Sequence, residues 1–260
     1  MVITGASAGI GFEVARAYAE RGAALVLNAR DADKLVEARD TLLASDPARA
    51  ERIELVAGDI TDESVQSALI ERAQARFGRL DVLVNNAGRG YYARFADIAA
   101  PELRALFELN VVAPLALTQR ALPALAESRG TVVMVSSVAG IAAAPAMGAY
   151  AASKFALEAL SGSLRAELAA QHVAVVVVRP GPVATGFREH AASSSAADAL
   201  QTPTGDDDRQ SPRDVARQLV RAVARRQAVV ETSLYVRGAS VLARTMPRVL
   251  RFVTKRMARR

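Results

Sequence analysis

A tyrosine and a lysine stand four residues apart in the stretch AYAASKFALEAL (residues 149–160), which otherwise has the composition of an alanine-rich helix. Residues at i and i+4 share one face of a helix, so Tyr150 and Lys154 are predicted to be neighbours. A phenol with its ordinary pKa of about 10 is a poor proton donor at neutral pH, but a nearby ammonium favours the phenolate and lowers that pKa. The pair therefore predicts proton exchange with a substrate oxygen.

A serine upstream completes this predicted group. Ser137 ends a strongly apolar run, and its hydroxyl can orient a substrate carbonyl. Ligands collect beyond the carboxyl ends of the strands in an open parallel sheet, so Ser137, the start of the tyrosine helix and a glycine-rich turn should converge. Because successive side chains of a strand point to opposite faces, Ser136 is predicted to point away from the group.

The glycine-rich turn TGASAGIG (residues 4–11) lies between the first apolar residues and the amphipathic stretch FEVARAYAERG. Gly5, Gly9 and Gly11 would permit a tight turn and let a diphosphate approach the backbone, while the helix N-terminus would supply N–H donors. The spacing differs from the G-x-G-x-x-G fingerprint, and the absence of a following Gly-Lys-Ser/Thr argues against a P-loop. Alone, the turn is equally compatible with a purely structural strand-to-helix connection.

The end of the second predicted strand discriminates between dinucleotides. An acidic side chain there accepts from the ribose 2′-OH of NAD, whereas an arginine pairs with the 2′-phosphate of NADP. Ala29 occupies the acidic place and Arg30 follows it, which favours NADP. In the alternative interpretation, Arg30 is a solvated loop residue and Asp31 only caps the next helix.

The elements that must position these residues follow a βαβ pattern. Short, near-continuously apolar runs alternate with amphipathic stretches, which predicts a sheet covered on both faces. The predicted fold class is α/β, a doubly wound, Rossmann-like parallel sheet with helices on both faces in a single domain. The predicted strands are the run MVI and residues 24–29, 52–58, 80–87, 131–137, 173–180 and 228–232. The first is short for a central strand, so we expect either a native chain that begins upstream or a less stable protein.

The domain organisation is predicted as a catalytic domain, residues 1–232, followed by a basic amphipathic C-terminal extension, residues 233–260. Within the first part, residues 186–211 are predicted to form a flexible substrate lid, because low-complexity sequence there runs up to a helix start at Ser211-Pro212. A surface loop without function is the alternative. A helix is predicted near residues 212–226.

The extension contains no acidic residue from Thr232 onward, and its apolar residues recur at helical spacing among basic ones. One hypothesis is peripheral attachment to an anionic membrane or capture of an acyl-chain substrate. The alternative is a helix packed on the domain or on a second subunit. The apolar residues that define the spacing are Leu242, Met246, Val249, Leu250, Val253 and Met257.

Composition excludes several classes of protein and site. With 51% hydrophobic and 23% charged residues among 260, the chain is neither disordered nor fibrous. It has no cysteine for a disulfide or thiolate site and only His172 and His190 as imidazoles, so no metal is predicted. No signal region or long apolar run is present, which predicts a cytoplasmic location. Despite a net charge of +6, most arginines are interspersed with acidic residues, so nucleic acid is not a predicted partner.

Taken together, these motifs closely resemble those of the short-chain dehydrogenase/reductase family in its single-domain form. The resemblance covers residues 1–231, and several motifs in the right order make it specific. They are TGASAGIG (4–11), NNAG (85–88), Asn110 in FELNVVAP, VSSVAG (135–140), YAASK (150–154) and RPGPVAT (179–185).

The resemblance implies a carbonyl–alcohol oxidoreduction with a nicotinamide cofactor, preferentially NADP(H). Tyr150 would exchange the proton, Ser137 would bond the substrate oxygen, Lys154 would lower the tyrosine pKa and hold the nicotinamide ribose, and Asn110 would fix a water in the proton relay. The implied cofactor contacts are Gly5, Ser7, Gly9, Ile10, Gly11, Arg30, Asp59 (adenine), Ile60, Asn86 (the wall beside the adenine), Ala87, Gly88, Tyr150, Lys154, Pro180, Gly181, Val183 and Thr185 (carboxamide).

One departure concerns the cofactor phosphate. Many NADP-preferring members have a basic residue where this chain has Ala8. The phosphate would then depend mostly on Arg30, with Asn28 or Ser7 helping.

Structural interpretations compete at several of these positions. Asp59 could cap the helix near Thr61, Asn86 and its neighbour Asn85 could brace the sheet, and Asn110 could bend its helix through side-chain bonding to the backbone. Three further side chains are candidates for the substrate pocket, with packing as the alternative: Tyr91, Tyr92 and His190.

The leading functional hypothesis is an NADP(H)-dependent dehydrogenase or reductase acting on a small, apolar ketone, aldehyde or secondary alcohol. The alternative is a catalytically silent NADP-binding regulator or scaffold, but such a protein would have no reason to keep Ser137, Tyr150 and Lys154 together. A nucleotide-sugar epimerase generally needs a larger substrate domain. A homodimer or homotetramer is predicted.

Overall fold

The computed structural model of the protein describes residues 1–187, 191–193 and 209–257. In chain order, its strands are β1 (Val2–Thr4), β2 (Leu25–Ala29), β3 (Ile53–Ala57), β4 (Val82–Asn85), β5 (Tyr91–Tyr92), β6 (Thr131–Val135), β7 (Ala174–Arg179), β8 (Ala192–Ser193) and β9 (Val229–Glu231). Its α-helices are α1 (Gly9–Ala19), α2 (Ala32–Leu43), α3 (Glu63–Phe77), α4 (Ala100–Phe107), α5 (Ala113–Ser128), α6 (Gly148–Glu167), α7 (Pro212–Ala224), α8 (Leu234–Thr245) and α9 (Pro247–Met257).

Seven strands form one parallel sheet in the order β3-β2-β1-β4-β6-β7-β9. The predicted strands are confirmed to within a few residues at each end. The chain builds outward from β1 to β3 and then returns to β4 on the other side of β1. Such a reversal opens a crevice at the carboxyl ends of the two central strands, and the glycine-rich turn follows β1 at that crevice.

Helices cover both faces of the sheet, as predicted. Neighbouring residues of a strand enter different cores: Ile3 packs with α1, α2 and α7, whereas Val2 packs with α3, α5 and α6. The strand sequences are continuously apolar because both of their faces are buried.

The turn after β7 contacts the residues that precede α7. Val183 and Gln210 form an isolated bridge, in which the amide of Ala184 donates to the Gln210 carbonyl at 2.9 Å. Between these two residues in the chain, β8 pairs with β5. Most of the predicted substrate lid, residues 188–190 and 194–208, lies outside the described residues.

The predicted C-terminal apolar pattern forms two helices rather than one. Ser233 caps α8 by accepting from the amide of Val236, so helix begins well before the predicted stripe. Met246 then leaves the helical region with φ −133° and ψ 57°, because a residue before proline is disfavoured in the α conformation. Pro247 starts α9 in its place.

A buried arginine ties α8 to the sheet and to α6. The guanidinium of Arg179 donates to both carboxylate oxygens of Glu158 at 2.9 and 2.8 Å and to Glu231 at 3.3 Å. Ser240 of α8 donates to Glu231 and lies 3.5 Å from the same guanidinium. The carboxyl end of β7, the middle of α6 and the buried side of α8 are therefore fixed relative to one another.

Candidate active site

Ser137, Tyr150 and Lys154 lie together beyond the carboxyl end of β6. Ser137 follows the strand, and Tyr150 and Lys154 occupy the first two turns of α6. The Ser137 hydroxyl lies close enough to the Tyr150 phenol to lower its pKa, and the Lys154 Nζ lies 5.8 Å from the centre of the Tyr150 ring. The buried Oγ of Ser136 has no hydrogen-bond partner among the described residues and lies against Gly140; its orientation away from the group stays a prediction.

The electrostatics of Tyr150 differ from the sequence-based expectation. Burial raises the pKa of the phenol above its ordinary value, and the neighbouring Tyr92 also raises it, while the hydrogen bond with Ser137 lowers it. The prediction that the lysine brings this pKa toward neutrality is therefore wrong for the chain alone. The side chain is only 6% exposed, and the loss of water disfavours the phenolate more than its neighbours favour it.

Lys154 is buried beside the tyrosine and held by the backbone. Its Nζ donates to the Val135 carbonyl at 3.0 Å, at the end of β6. Burial lowers the pKa of the ammonium to about 8, and the carboxylate of Glu158, one turn further along α6, opposes this shift. A Cβ at Gly88 would lie 3.6 Å from the Nζ, so the NNAG segment closes the other side of the lysine.

Asn110 lies in a π-helical turn, Glu108–Val112, between α4 and α5. Such turns interrupt α-helices, frequently at functional sites. The side chain accepts from the Arg89 amide and donates to the Arg89 carbonyl, both at 3.0 Å. It also donates to Ser153 at 3.1 Å, and the Ser153 hydroxyl donates to the Tyr150 carbonyl at 2.7 Å. Asn110 thus connects the loop after β4 to the turn that carries Tyr150.

The glycine-rich turn after β1 has no room for side chains. Gly5 and Gly9 adopt φ of +62° and +57°, in the left-handed region that favours glycine. A Cβ at Gly11 would lie 2.1 Å from the Gly5 carbonyl oxygen. Asn86 braces the turn by donating to the carbonyls of Thr4 and Gly5 at 3.0 and 3.1 Å, which is the structural role that the sequence left open.

Helix α1 begins directly in this turn. Its N-cap residue, Ala8, contributes no side-chain cap, and no acidic residue lies in the first turn. Ser7 and Ile10 are half-buried beside it. The first turn of α1 therefore contributes no anionic side chain of its own to the positive end of the helix dipole, an arrangement that suits a phosphate.

The loop after β2 presents an exposed arginine. Arg30 is exposed, whereas Asp31 caps α2 by accepting from the Lys34 amide at 3.1 Å, as one interpretation predicted. The expectation that Asn28 assists a phosphate is wrong, because its amide nitrogen donates to the carbonyls of Val56 and Gly58. Asn28 braces β3 instead.

The loop after β3 carries Asp59, the predicted adenine contact, and Ile60, another predicted cofactor contact. One carboxylate oxygen of Asp59 accepts from the amide and hydroxyl of Thr61 at 3.0 and 2.9 Å, so the side chain does cap the approach to α3. The side chain of Ile60 is buried in the core on that face. In the loop after β4, the amide of Ala87 donates to the Thr4 hydroxyl.

The turn after β7 lies over the glycine-rich turn. A Cβ at Gly9 would come within 3.0 Å of the Thr185 methyl group. Pro180 accepts from the Val138 amide at 2.9 Å, Gly181 lies against Val236 of α8, and Val183 packs on the core beside α1. The structure thus brings the RPGPVAT segment to the same crevice as the other motifs.

Phe187, which the sequence placed in the predicted lid without singling it out, is a neighbour of the tyrosine. Its ring centre lies 5.8 Å from that of Tyr150, with the planes tilted by 58°. Arg89 and Ser153, which position Asn110 and Tyr150, were also missed. Ser153 lies inside YAASK, where its helical spacing from Tyr150 was the available signal, whereas Phe187 follows Thr185 in a loop without periodicity.

Other candidates stand apart from the site. His172 is exposed on the surface, and His190 lies outside the described residues. Tyr91 is buried and its hydroxyl accepts from the Ala99 amide at 3.1 Å, which is a packing role. Within the described part of the chain, acidic and histidine side chains form no group that could hold a metal ion. No helix in that part has the length and apolar character needed to cross a bilayer.

Comparisons with known proteins agree with this geometry. A family model described as short chain dehydrogenase matches residues 1–196. The chain is 32% identical to dehydrogenase/reductase SDR family member 7B of Mus musculus, over 95% of this chain and 76% of that protein. This match continues beyond residue 231, where the sequence-based resemblance ended.

Two solved structures from this group share the fold. A short chain dehydrogenase/reductase from Burkholderia phymatum in complex with NAD is 26% identical, with a TM-score of 0.83 over 93% of this chain and 91% of its own. A short-chain dehydrogenase from Sphingobium yanoikuyae in complex with NADPH is 27% identical, with a TM-score of 0.78 over 96% and 94%.

Proposed function

The chain belongs to the short-chain dehydrogenase/reductase family, and on that premise we propose that it interconverts a small carbonyl compound and the corresponding alcohol with NADP(H). The observation that carries the proposal is the meeting of Ser137, Tyr150 and Lys154 beyond β6, with Ser137 close enough to lower the pKa of the phenol and the ammonium 5.8 Å from the centre of its ring. A catalytically silent NADP-binding protein of the same fold is the alternative.

The proton chemistry is assigned to Tyr150. Its raised pKa keeps the phenol protonated but makes it a weak proton donor in the chain alone. Donation to a carbonyl oxygen during reduction would therefore need neighbouring groups that favour the phenolate, and the phenol would be reprotonated afterwards. Ser137 would hold that oxygen, since its hydroxyl already reaches the phenol. Lys154 would stabilise negative charge on the phenol as the proton leaves, and Asn110 would hold the relay in place.

The crevice fits a nicotinamide dinucleotide, which supplies or accepts the hydride when bound. The diphosphate would lie on Gly5, Gly9 and Gly11, where side chains are excluded and α1 has no acidic cap. Further contacts are proposed from the loops after the strands: Ser7, Ile10, Arg30, Asp59, Ile60, Asn86, Ala87, Gly88, Tyr150, Lys154, Pro180, Gly181, Val183 and Thr185.

The preference for NADP(H) rests on Arg30. This exposed cation follows β2 where an NAD-binding site would need an acidic group. The NAD and NADPH complexes of the two similar structures establish that both cofactors occur on this fold. With Asn28 engaged by β3, the 2′-phosphate would depend on Arg30 and Ser7.

Domain roles, location and assembly complete the proposal. Residues 1–232 would form the catalytic domain with residues 186–211 as its lid, and residues 233–260 the extension. Phe187 and Tyr92 would give the substrate pocket an apolar, aromatic wall. We place the protein in the cytoplasm as a homodimer or homotetramer, with the extension as its contact to a membrane surface.

The experiment is to follow the absorbance of NADPH and NADH with a panel of ketones and aldehydes. We expect turnover with NADPH in preference to NADH. Arg30→Ala should weaken NADPH binding by roughly tenfold or more, because a charge-assisted contact is lost, and leave NADH binding unchanged. Arg213→Ala, another exposed arginine, is the matched control.

Two results would count against the proposal. Tight NAD(H) binding with weak NADP(H) binding would refute the cofactor preference. NADPH binding without turnover of any carbonyl in the panel would favour the silent alternative.

A further inference from the structure

Two helices at the C-terminus expose large apolar side chains to solvent. On α8, Leu234 and Val241 are 82% and 61% exposed, and on α9, Phe252 is 65% exposed. Tyr235, Met246 and Val249 are also exposed. These six side chains, with the arginines and lysine beside them, are here called the C-terminal surface. Exposed apolar surface of this extent marks interaction sites.

The surface is the outer side of a helix already fixed to the domain. Val236 of α8 is completely buried and Ser240 is 6% exposed, and the latter joins the network around Arg179. Leu234 and Val241 lie two turns apart on the opposite face of α8. Their exposure therefore does not result from α8 failing to pack, because its inner face is filled.

Every charged side chain in this region is positive. The sequence from residue 232 to 260 has no aspartate or glutamate. Arg237, Arg244, Arg248, Lys255 and Arg256 are exposed, and none of them forms an ion pair with another residue of the described part of the chain. The surface thus combines exposed cations with exposed apolar side chains.

We propose that the C-terminal surface docks the protein on the anionic face of a lipid bilayer. Apolar side chains of an interfacial helix enter the headgroup–acyl boundary while flanking cations contact anionic headgroups. A second copy of the chain fits less well, since a symmetric contact would bring two all-cationic segments together. This proposal is independent of the catalytic one, because none of the residues of the surface belongs to the active site.

The test is co-sedimentation of the full chain with vesicles of phosphatidylcholine mixed with phosphatidylserine, against vesicles of phosphatidylcholine alone. We expect binding to the anionic vesicles to be at least about tenfold tighter and to weaken with added salt. The paired substitution Arg244→Gln and Arg248→Gln should weaken it by about tenfold or more. Arg104→Gln and Arg213→Gln, which remove two exposed arginines elsewhere, should not.

The apolar part of the surface has its own matched control. Val241→Ser with Phe252→Ser should reduce the vesicle-bound fraction several-fold, whereas Phe95→Ser should leave it unchanged, although Phe95 is 91% exposed. NADPH turnover with a water-soluble carbonyl should stay at the native level in all these variants, which separates failure of docking from failure of the enzyme.

Absence of binding to anionic vesicles would overturn the proposal. So would self-association that Val241→Ser with Phe252→Ser abolishes, because a second copy would then cover the surface.

Discussion

At the scale of single residues, burial dominates the chemistry of the site. Tyr150 and Lys154 are 6% and 5% exposed, and removal from water disfavours the charged form of each. The phenol is thereby kept protonated, and the ammonium is made easier to deprotonate. Sequence spacing correctly placed the two side chains together, but it could not reveal how completely they lose water.

The pKa of Lys154 leads to a prediction about stability. This pKa falls from its ordinary value of 10.5 to about 8 in the folded chain, so the unfolded chain binds the proton more tightly. Folding is therefore penalised below about pH 8, and the penalty disappears as the pH rises toward about 10.5. Between about pH 7.5 and 9.5, the free energy of unfolding of the native chain should rise by about 2 kcal/mol relative to that of Lys154→Met.

Urea unfolding of the two chains without cofactor, at both pH values, measures this difference. Methionine removes the titrating group and keeps most of the buried volume, so other groups cancel in the comparison. A difference that stays flat across the window would contradict the buried, titrating ammonium.

Site residues that follow a strand end or recur at helical spacing could be predicted from the sequence. Residues that reach the site from loops could not. Ser137, Tyr150 and Lys154 follow from a strand end and a helical repeat. Phe187 reaches the tyrosine from a loop, and Arg89 uses only its backbone to bond Asn110. Neither contact leaves a pattern in the residue types.

At the scale of elements, the conformation of the glycine-rich turn depends on close backbone contacts that leave no room for a side chain. Gly11→Ala would place a Cβ 2.1 Å from the Gly5 carbonyl oxygen, and the turn would have to shift. We expect a loss of about 2 kcal/mol of stability or more and a loss of NADPH affinity of at least about tenfold, because a contact of diphosphate with backbone requires the intact turn.

Gly162→Ala is the matched control for this substitution. Gly162 lies in α6 with no atom within 4 Å of an added Cβ, so alanine should stabilise the chain by about 0.5–1 kcal/mol. Thermal unfolding and NADPH titration of both variants check the pair. Equal behaviour of the two variants would contradict the close approach seen at Gly11.

Strands and most helices could be predicted because each apolar run is buried on both faces of the sheet. The C-terminal helices were harder. The helical spacing of apolar residues continues across the break at Met246, so periodicity alone did not separate α8 from α9. The start of α8 depends on the Ser233 cap and on the burial of Val236, which a stripe defined from Leu242 onward does not include.

At the scale of the whole molecule, the outer faces of α5 and α6 are incompletely covered. Leu115 is 37% exposed on α5, and Phe155 and Leu160 are 46% and 36% exposed on α6. A small apolar cavity, lined in part by Leu115 and Leu160, lies between the two helices. This face uses other residues than the cationic C-terminal surface, and we expect a second copy of the chain to cover it in the predicted homo-oligomer.

We expect light scattering to give the mass of a dimer or tetramer for the native chain. Phe155→Glu should shift the mass toward that of a monomer, because a carboxylate would be buried without a partner at the contact. Phe95→Glu changes an equally large but remote side chain and should have no effect. A native chain that is monomeric at micromolar concentration would contradict the assembly.

The meeting of distant loops was predicted by analogy with parallel sheets rather than from local patterns, and the order of the strands was not predicted. The order β3-β2-β1-β4-β6-β7-β9 places three separate motifs at one crevice, and only tertiary contacts such as Thr185 over Gly9 establish how closely they approach. Residue types identified the chemistry, while the sheet determines which groups meet.

The most direct test of the central claim is the rate of NADPH-dependent carbonyl reduction by Tyr150→Phe. Removal of the hydroxyl should lower kcat/KM by about a hundredfold to ten-thousandfold, with the NADPH dissociation constant within about twofold of native because the ring is retained. Tyr91→Phe, whose hydroxyl only accepts from the Ala99 amide, should keep near-native turnover. Native turnover by Tyr150→Phe would contradict the assignment of the proton to this phenol.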